Sequence, residues 1–367
     1  MAIGRNERYH ADTTRPCESR SELVADAGRR VNSTDMTVKN GYRDKRVLIT
    51  GGLGFIGSNL ARELVGRGAT VTVIDNLDPN CGGNIFNIHD TRDKMTVRVC
   101  DLRAPSELDR LIRDQDFLFN LAGQSGHIAS MTDPHADLDI NTTAQLSMLE
   151  TCRVVNPGIK IVFASTRQIY GKPDYLPVDE NHPIRPVDVN GINKFAGEQY
   201  HRLYNDVYAV RSCTLRMTNT YGAGMRTKDA RQSFLGTWVR RLIENKPIEV
   251  FGDGRQRRDF NHVDDCVEAI LLAGASDVAN GKAYNLGGTE VVDLKTLAET
   301  MINLGSGGSF EVVPFPRENK AIDIGDYYGD FSLIRNELGW NPKVGLREGL
   351  ARTVDYYRAN HARYWSA

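Results

Sequence analysis

The chain has little of what announces a disulfide staple, a membrane or a nucleic-acid partner. Its six cysteines (17, 81, 100, 152, 213 and 266) are scattered and form no CxxC pair. That spacing argues against a disulfide framework and a zinc site, and for reduced thiols in a cytoplasmic protein. No apolar run approaches the ~20 residues of a membrane span. The opening MAIGRNERYHADTTRPCESR has no apolar centre and does not read as a secretory signal. Net charge is -1 and there is no long basic run, so neither nucleic acid nor an anionic membrane is expected as a partner. Internal repeats and low-complexity tracts are absent as well.

What is present describes an ordinary soluble globular protein: 40% hydrophobic and 25% charged residues in a chain of 367, long enough for one large or two moderate domains. Residues 1–43 are polar without an apolar period. They read as a disordered extension, with Met36 a plausible internal start. From Lys45 the text changes. RVLIT (46–50), a Gly-rich turn, the helical pattern SNLARELVGRG (58–68) and ATVTVID (69–75) spell strand, turn, helix, strand. The alternation continues through MTVRVC (95–100), DFLFNLA (116–122), KIVFAS (160–165) and CTLRMTN (213–219), with helical segments such as 144–155 and 193–206 between them. Repeated βα units predict an α/β fold, a doubly wound parallel sheet covered by helices on both faces, over residues 44–222. After about residue 222 the rhythm breaks into mixed elements. Residues 223–367 are expected to form mainly a smaller substrate-binding lobe, with later segments returning to the first domain.

The turn TGGLGFIG carries Gly51, Gly54 and Gly57. Glycines let backbone approach a pyrophosphate, and the helix that follows offers free N–H groups and a positive dipole end. Gly51, Gly54, Phe55, Ile56 and Gly57 are the expected contacts. Asp75 ends the next strand, where a carboxylate accepts from both ribose hydroxyls and repels a 2′-phosphate, so the cofactor is read as NAD. Asp101 and Leu102, in CDLRA after the third strand, are candidates for adenine contact. For Asp101 the alternative is an N-cap on the following helix.

TGGLGFIG, NLAGQ (120–124), STRQIYG (165–171), NGINK (190–194), RMTNTYG (216–222), FGDGRQRRDFNHVDD (251–265) and YNLGG (284–288) occur in this order. Together they make the chain from about residue 45 onward resemble the extended short-chain dehydrogenase/reductases, in particular the nucleotide-sugar epimerases and dehydratases. The resemblance implies a Rossmann-type domain that holds NAD tightly, a C-terminal lobe for a nucleoside-diphosphate sugar, and a homodimer formed through two helices. It also implies roles. Leu121 and Ala122 would line the cofactor and Gln124 the substrate. Thr166 would hydrogen-bond the reacting sugar hydroxyl, and Lys194 would hold the nicotinamide ribose. Asn219 and Arg258 would hold the diphosphate or the neighbouring sugar. Lys320 stands where the family often has arginine, and a point charge there replaces a planar fork. On the residues alone, Arg258 can also be a solvated arginine paired with Asp259, and Thr166 a strand-end hydroxyl bonded to backbone.

Two departures bear on chemistry. In the enzymes that the chain resembles, a tyrosine four residues before the lysine takes the hydroxyl proton. Asn190 stands there, and none of the 14 tyrosines has a lysine four residues on. An amide hydrogen-bonds but does not shuttle a proton, and loss of a positioned acid/base typically costs about 10²–10⁴-fold in rate. The 4,6-dehydratases carry Asp-Glu after their threonine, whereas this chain has Arg167 and Gln168. Candidates for a relocated acid/base are His127, whose side chain titrates near neutrality, and Lys228. The latter lies in a stretch resembling the GDP-mannose 3,5-epimerases, though their partner cysteine is Gln168 here. Tyr170 is a third candidate. The expectation is thus a cytoplasmic NAD-dependent nucleotide-sugar epimerase, hexose 4-epimerase-like, in which Asn190 contributes only a hydrogen bond. The alternatives are a nucleotide-sugar dehydrogenase, decarboxylase or 3,5-epimerase with a relocated acid/base, and a non-catalytic NAD and nucleotide-sugar binding protein.

Overall fold

A computed structural model describes residues 41–229, 233–305 and 307–365. The expected extension lies outside the described residues up to position 40. Its last part does not fit that expectation, because residues 41–44 form a turn with Tyr42 fully buried. The Tyr42 hydroxyl donates to Leu271 O at 2.7 Å and its ring packs on Phe117 and Phe119. A large aromatic with its polar tip satisfied brings polar neighbours into order with it.

The first half alternates as the apolar runs predict. β1 (Arg46–Thr50), α1 (Phe55–Gly66), β2 (Thr70–Asp75), β3 (Thr96–Val99), α2 (Pro105–Ile112), β4 (Phe117–Asn120), α3 (His127–Thr132), α4 (Pro134–Leu138), α5 (Ala144–Val155), β5 (Lys160–Thr166), α6 (Val189–Tyr208) and β6 (Ser212–Met217) follow in order. Then come β7 (Asn219–Tyr221), α7 (Phe234–Ile243), β8 (Ile248–Phe251), β9 (Arg257–His262), α8 (Val263–Ala275), β10 (Ala283–Asn285), β11 (Val291–Asp293), α9 (Leu294–Leu304), β12 (Phe310–Val313), α10 (Arg317–Ala321), α11 (Ser332–Leu338) and α12 (Leu346–Asn360).

Seven strands form one parallel sheet in the order β10-β6-β5-β4-β1-β2-β3. Successive side chains of a strand point to opposite faces. Val47 and Ile49 therefore join the core shared with α1 and α8, while Leu48 joins the core under α2, α5 and α6. Strand order reverses between β1 and β4, and a crevice opens there at the carboxyl ends.

The second lobe is stitched from separate stretches. β7 pairs parallel with β9, β9 pairs antiparallel with β11, and β8 pairs parallel with β12. Trp238, Val250, Phe260, Leu297, Met301 and Leu350 build its own core. The late strand β10 pairs parallel with β6 and so belongs to the large sheet. Asn87 joins the two lobes: its amide donates to Leu53 O (3.0 Å) and Gly224 O (3.3 Å), and its Oδ1 accepts from the Tyr364 hydroxyl (2.7 Å). Among the described residues no helix is long and apolar enough to cross a membrane, and no group of ligating side chains could hold a metal ion.

Candidate active site

The carboxyl ends of β1, β2, β4, β5 and β6 open onto one cleft of about 590 Å³, a size suited to a small-molecule site. At its cofactor end Gly51 has φ of 66°, in the left-handed region, and a Cβ there would come within 2.9 Å of Ala122 N. A Cβ on Gly57 would collide with the Gly51 carbonyl oxygen. No side chain caps the start of α1, so its terminal N–H groups suit a phosphate. Phe55, Ile56, Leu102, Leu121 and Ala122 line the same space. Thr50 ties the ends of β1 and β4 together, its Oγ1 accepting from Leu121 N (3.1 Å) and Ala122 N (3.0 Å).

Asp75 lines the cleft at the end of β2. Its carboxylate accepts from Leu53 N (3.1 Å) and Leu77 N (2.9 Å), and burial raises it above the ordinary range against those bonds. Asp101 also lines the cleft but is not a helix cap, because Ala104 caps α2. It is held instead by a two-point bond from Arg103 (2.9 and 2.7 Å) and by Asn76 (3.0 Å), which keep it well below the ordinary carboxylate range. A turn that admits no Cβ, an uncapped helix start and a carboxylate at the next strand end fit NAD.

The middle of the cleft holds Thr166, His127, Asn190 and Lys194 together. Thr166 Oγ1 accepts from Gln168 N at 3.2 Å and so caps the short turn at 167–170. Lys194 Nζ donates to Ala164 O at 3.2 Å. Burial lowers its ammonium to about 8, against the pull of Asp137 and Glu198. Asn190 spends both amide hydrogens inward, on Gln124 O (2.7 Å) and Asp137 Oδ2 (3.0 Å). It offers the cleft a carbonyl oxygen alone. It can accept from a sugar hydroxyl but cannot donate to a ketone, which narrows the hydrogen-bonding role expected of it.

His127 opens α3, its side chain 35% exposed and its Nδ1 2.9 Å from Asp188 Oδ2, off the line of a straight hydrogen bond. Asp188 is buried as the N-cap of α6 and accepts from Gly191 N (2.6 Å) and Gln168 Nε2 (3.0 Å). Burial pushes its carboxyl up, but the His127 contact and the other donors outweigh burial and hold it below the ordinary range.

At the substrate end Asn219 Nδ2 donates to Asp259 O (3.0 Å), and its Oδ1 accepts from Arg167 Nη2 (3.1 Å). Arg258 is buried and not a solvated arginine. Asp259 takes Thr218 Oγ1 (2.5 Å) and Gly329 N (3.2 Å), while Arg258 Nη2 lies 3.9 Å from Asp323. Burial and the charge of Arg167 lower the Arg258 guanidinium to about 10. Nη1 of Arg167 is buried without a hydrogen-bond partner among the described residues.

Four expected residues do not reach this cleft. Lys228 is exposed and does not line it; its carbonyl accepts from Arg240 Nη1 (2.7 Å). Lys320 is 64% exposed and bonds Asp323 Oδ2 at 3.2 Å, which keeps it outside although Asp323 lines the wall. Gln124 folds its side chain back onto Gly126 N and serves through its backbone oxygen. Tyr170 is fully buried between Asn285 and Arg216, with its phenol raised by burial. Conversely, Asp188, Asp137 and the contacts made by Arg167 and Gln168 were not foreseen as parts of the site. For Asp188 a signal existed, since an aspartate just before a helical pattern is an N-cap candidate.

Comparison with known proteins agrees with this geometry. The family described as the NAD dependent epimerase/dehydratase family matches residues 47–287. A putative UDP-glucose 4-epimerase of Methanocaldococcus jannaschii is 33% identical, over 86% of this chain and 99% of that one. The structure of a UDP-glucose 4-epimerase with UDP-glucose from Thermotoga maritima superposes with a TM-score of 0.79 at 27% identity, covering 86% of this chain and 99% of the other. A dTDP-glucose 4,6-dehydratase of Streptomyces venezuelae with NAD bound superposes with a TM-score of 0.80 at 26% identity, covering 88% and 99%. With a glycine turn built for a dinucleotide, a buried lysine beside a strand-end threonine, and relatives matched over nearly their whole length, the chain belongs to the NAD dependent epimerase/dehydratase family of enzymes.

Proposed function

We propose that the protein is an NAD-dependent nucleotide-sugar epimerase that inverts a hexose carbon, C4, by transient oxidation. One observation carries this reading: a single cleft runs from the glycine turn and Asp75, past Lys194 and Thr166, to Asn219 and Arg258. NAD⁺, when bound, would supply the acceptor and donor of the hydride for this oxidation and its reversal. Gly51–Gly57 and Asp75 would hold the cofactor's pyrophosphate and ribose. Lys194, close to neutrality, would donate to the nicotinamide ribose. Thr166 would orient the reacting hydroxyl, and Asn190 would accept from it. Arg258 and Asn219 would hold the diphosphate of the nucleotide. Epimerisation is favoured over 4,6-dehydration because Arg167 bonds Asn219 and Gln168 bonds Asp188, and neither is an acid or base in that position.

A second reading, decarboxylation of a sugar acid, rests on Arg167. Its unpartnered buried Nη1 in the cleft would suit a carboxylate on the sugar. A homodimer fits the apolar face left open on α5 and α6, where Val154, Leu203, Val207 and Tyr208 are exposed.

The test is to purify the protein, add UDP-, GDP-, CDP- and dTDP-sugars, and follow NADH absorbance and sugar turnover. Epimerised product without net NADH is the expected result. Carbon dioxide release from a uronic acid would favour the second reading. Binding of NAD and sugar without any hydride exchange would count against both.

A further inference from the structure

Asn190 cannot carry a proton, so the oxidation proposed above lacks a base at the family's usual place. We infer that the His127–Asp188 pair is that base, with His127 as the catalytic residue and Asp188 as the residue that positions it. The inference rests on the epimerase reading and deepens it.

The geometry has four parts. His127 lines the cleft with Thr166 and Asn190. Its Nδ1 faces a carboxylate that is itself buried. Nδ1 and Nε2 lie on different sides of an imidazole, so Nε2 is turned away from Asp188 and is free for a substrate. A carboxylate 2.9 Å from Nδ1 stabilises, by its charge, the imidazolium that forms when Nε2 gains a proton, and a small turn of the ring would bring Nδ1–H onto it.

A chain of bonds also fixes His127 relative to the hydroxyl-orienting residue. Thr166 Oγ1 accepts from Gln168 N at 3.2 Å, and Gln168 Nε2 donates to Asp188 Oδ2 at 3.0 Å. The same Asp188 oxygen faces His127 at 2.9 Å. On the other side, Ser130 Oγ donates to His127 O (2.7 Å) and accepts from Asn190 N (3.2 Å), which ties α3 to α6. Gln168, which has no acid/base chemistry of its own, is thus the link between Thr166 and the pair. Other charged groups in this part of the cleft are Arg167 after β5 and Lys194 on α6, with Asp137 behind Asn190.

The step balances. The sugar O–H bond breaks and an Nε2–H bond forms, while the electron pair of the C–H bond leaves as hydride to the NAD⁺ oxidant. The resulting ketone takes hydride back on its other face, and the proton returns from Nε2 to oxygen.

The test uses the full chain with NAD and the nucleotide-sugar panel. His127→Gln should lower kcat by about 10²–10⁴-fold, while calorimetry shows NAD and sugar nucleotide still bound as in the wild type. Asp188→Asn keeps an oxygen to cap α6 but removes the charge that favours imidazolium. It should move the rising acid limb of the kcat/KM profile to lower pH. Nitrogen-detected NMR reads the ring directly: Nδ1–H tautomer in the wild type, and a lower titration midpoint in Asp188→Asn. Lys228→Ala should leave turnover unchanged. His127→Gln turning over within threefold of the wild type overturns the inference alone. So does Asp188→Asn that moves neither the limb nor the NMR midpoint. A wild type that binds NAD and sugar nucleotide yet exchanges no hydride overturns the epimerase reading and the inference together.

Discussion

Asn190 Nδ2 donates to Asp137 Oδ2 at 3.0 Å, and Asn193 Nδ2 meets the other oxygen of that carboxylate at 2.8 Å. Asp137 is fully buried, and these two amides join the charge of Lys194 in keeping its carboxylate tolerable. Restoring the family tyrosine is therefore not a simple repair. Asn190→Tyr should cost about 1–3 kcal/mol of stability, because it strips a donor from Asp137 and another from Gln124 O. Adding Asp137→Asn should recover part of the loss. Denaturant unfolding of the single and double variants measures both.

Lys194 gives a pH signature. Its folded value of about 8 lies below the ordinary 10.5. Between those values the unfolded chain still binds a proton that the folded chain has lost, so this residue makes stability rise with pH. Below pH 8 both states are protonated, the full burial penalty applies, and the contribution is flat. Compared with Lys194→Met, the NAD-free protein should gain up to about 3 kcal/mol from pH 8 to 10.5. Unfolding curves of the two proteins at matched pH test this, and a difference that falls across the window would contradict it.

Arg216 and Glu198 form a buried ion pair at 2.9 Å, with side chains 7% and 3% exposed. Arg216 also donates to the Tyr170 hydroxyl, and Ser165 donates to Glu198. Arg216→Met leaves a buried carboxylate without its counter-charge and should cost about 3–5 kcal/mol. Replacing both partners by apolar residues should cost much less. Urea melts of Arg216→Met against Arg216→Met/Glu198→Leu separate a lost contact from an orphaned charge.

The exposed apolar face of α6 tests the proposed dimer. Leu203 and Val207 are one turn apart and 48% and 60% exposed. A Leu203→Glu/Val207→Glu variant should sediment as a monomer where the wild type sediments as a dimer. Its folding should be nearly unaffected, because neither residue is in the core. Equal sedimentation of the two proteins would remove these residues from any interface.

The features legible in the sequence were those fixed by neighbours in the chain. The glycine turn and Asp75 at the end of β2 depend on one strand–turn–helix–strand unit, Lys194 came from the family resemblance, and each lies on the cleft. The pairing of His127 with Asp188 joins α3 to α6, and no spacing rule reports which way an N-cap carboxylate turns. Lys228 and Lys320 show the converse error. Both lie in segments whose neighbours line the cleft, but a local ion pair or an outward side chain took each of them away from it. Tyr42 was missed because a polar segment hides one aromatic whose burial depends on α8, far along the chain.

The three bonds of Asn87 act as a pin between the glycine turn, the segment after β7 and the C-terminal tail. Asn59 Nδ2 adds a bond to Ala223 O (2.8 Å) and Asn84 Nδ2 one to Arg363 O (3.0 Å), so the seam beside the glycine turn is tied at several points. A cofactor seated against the glycine turn would lie beside this seam, while the sugar nucleotide would lie farther along the cleft toward Arg258 and Asp323. Together these bonds would make the cofactor's seat a part of the cleft that both lobes build.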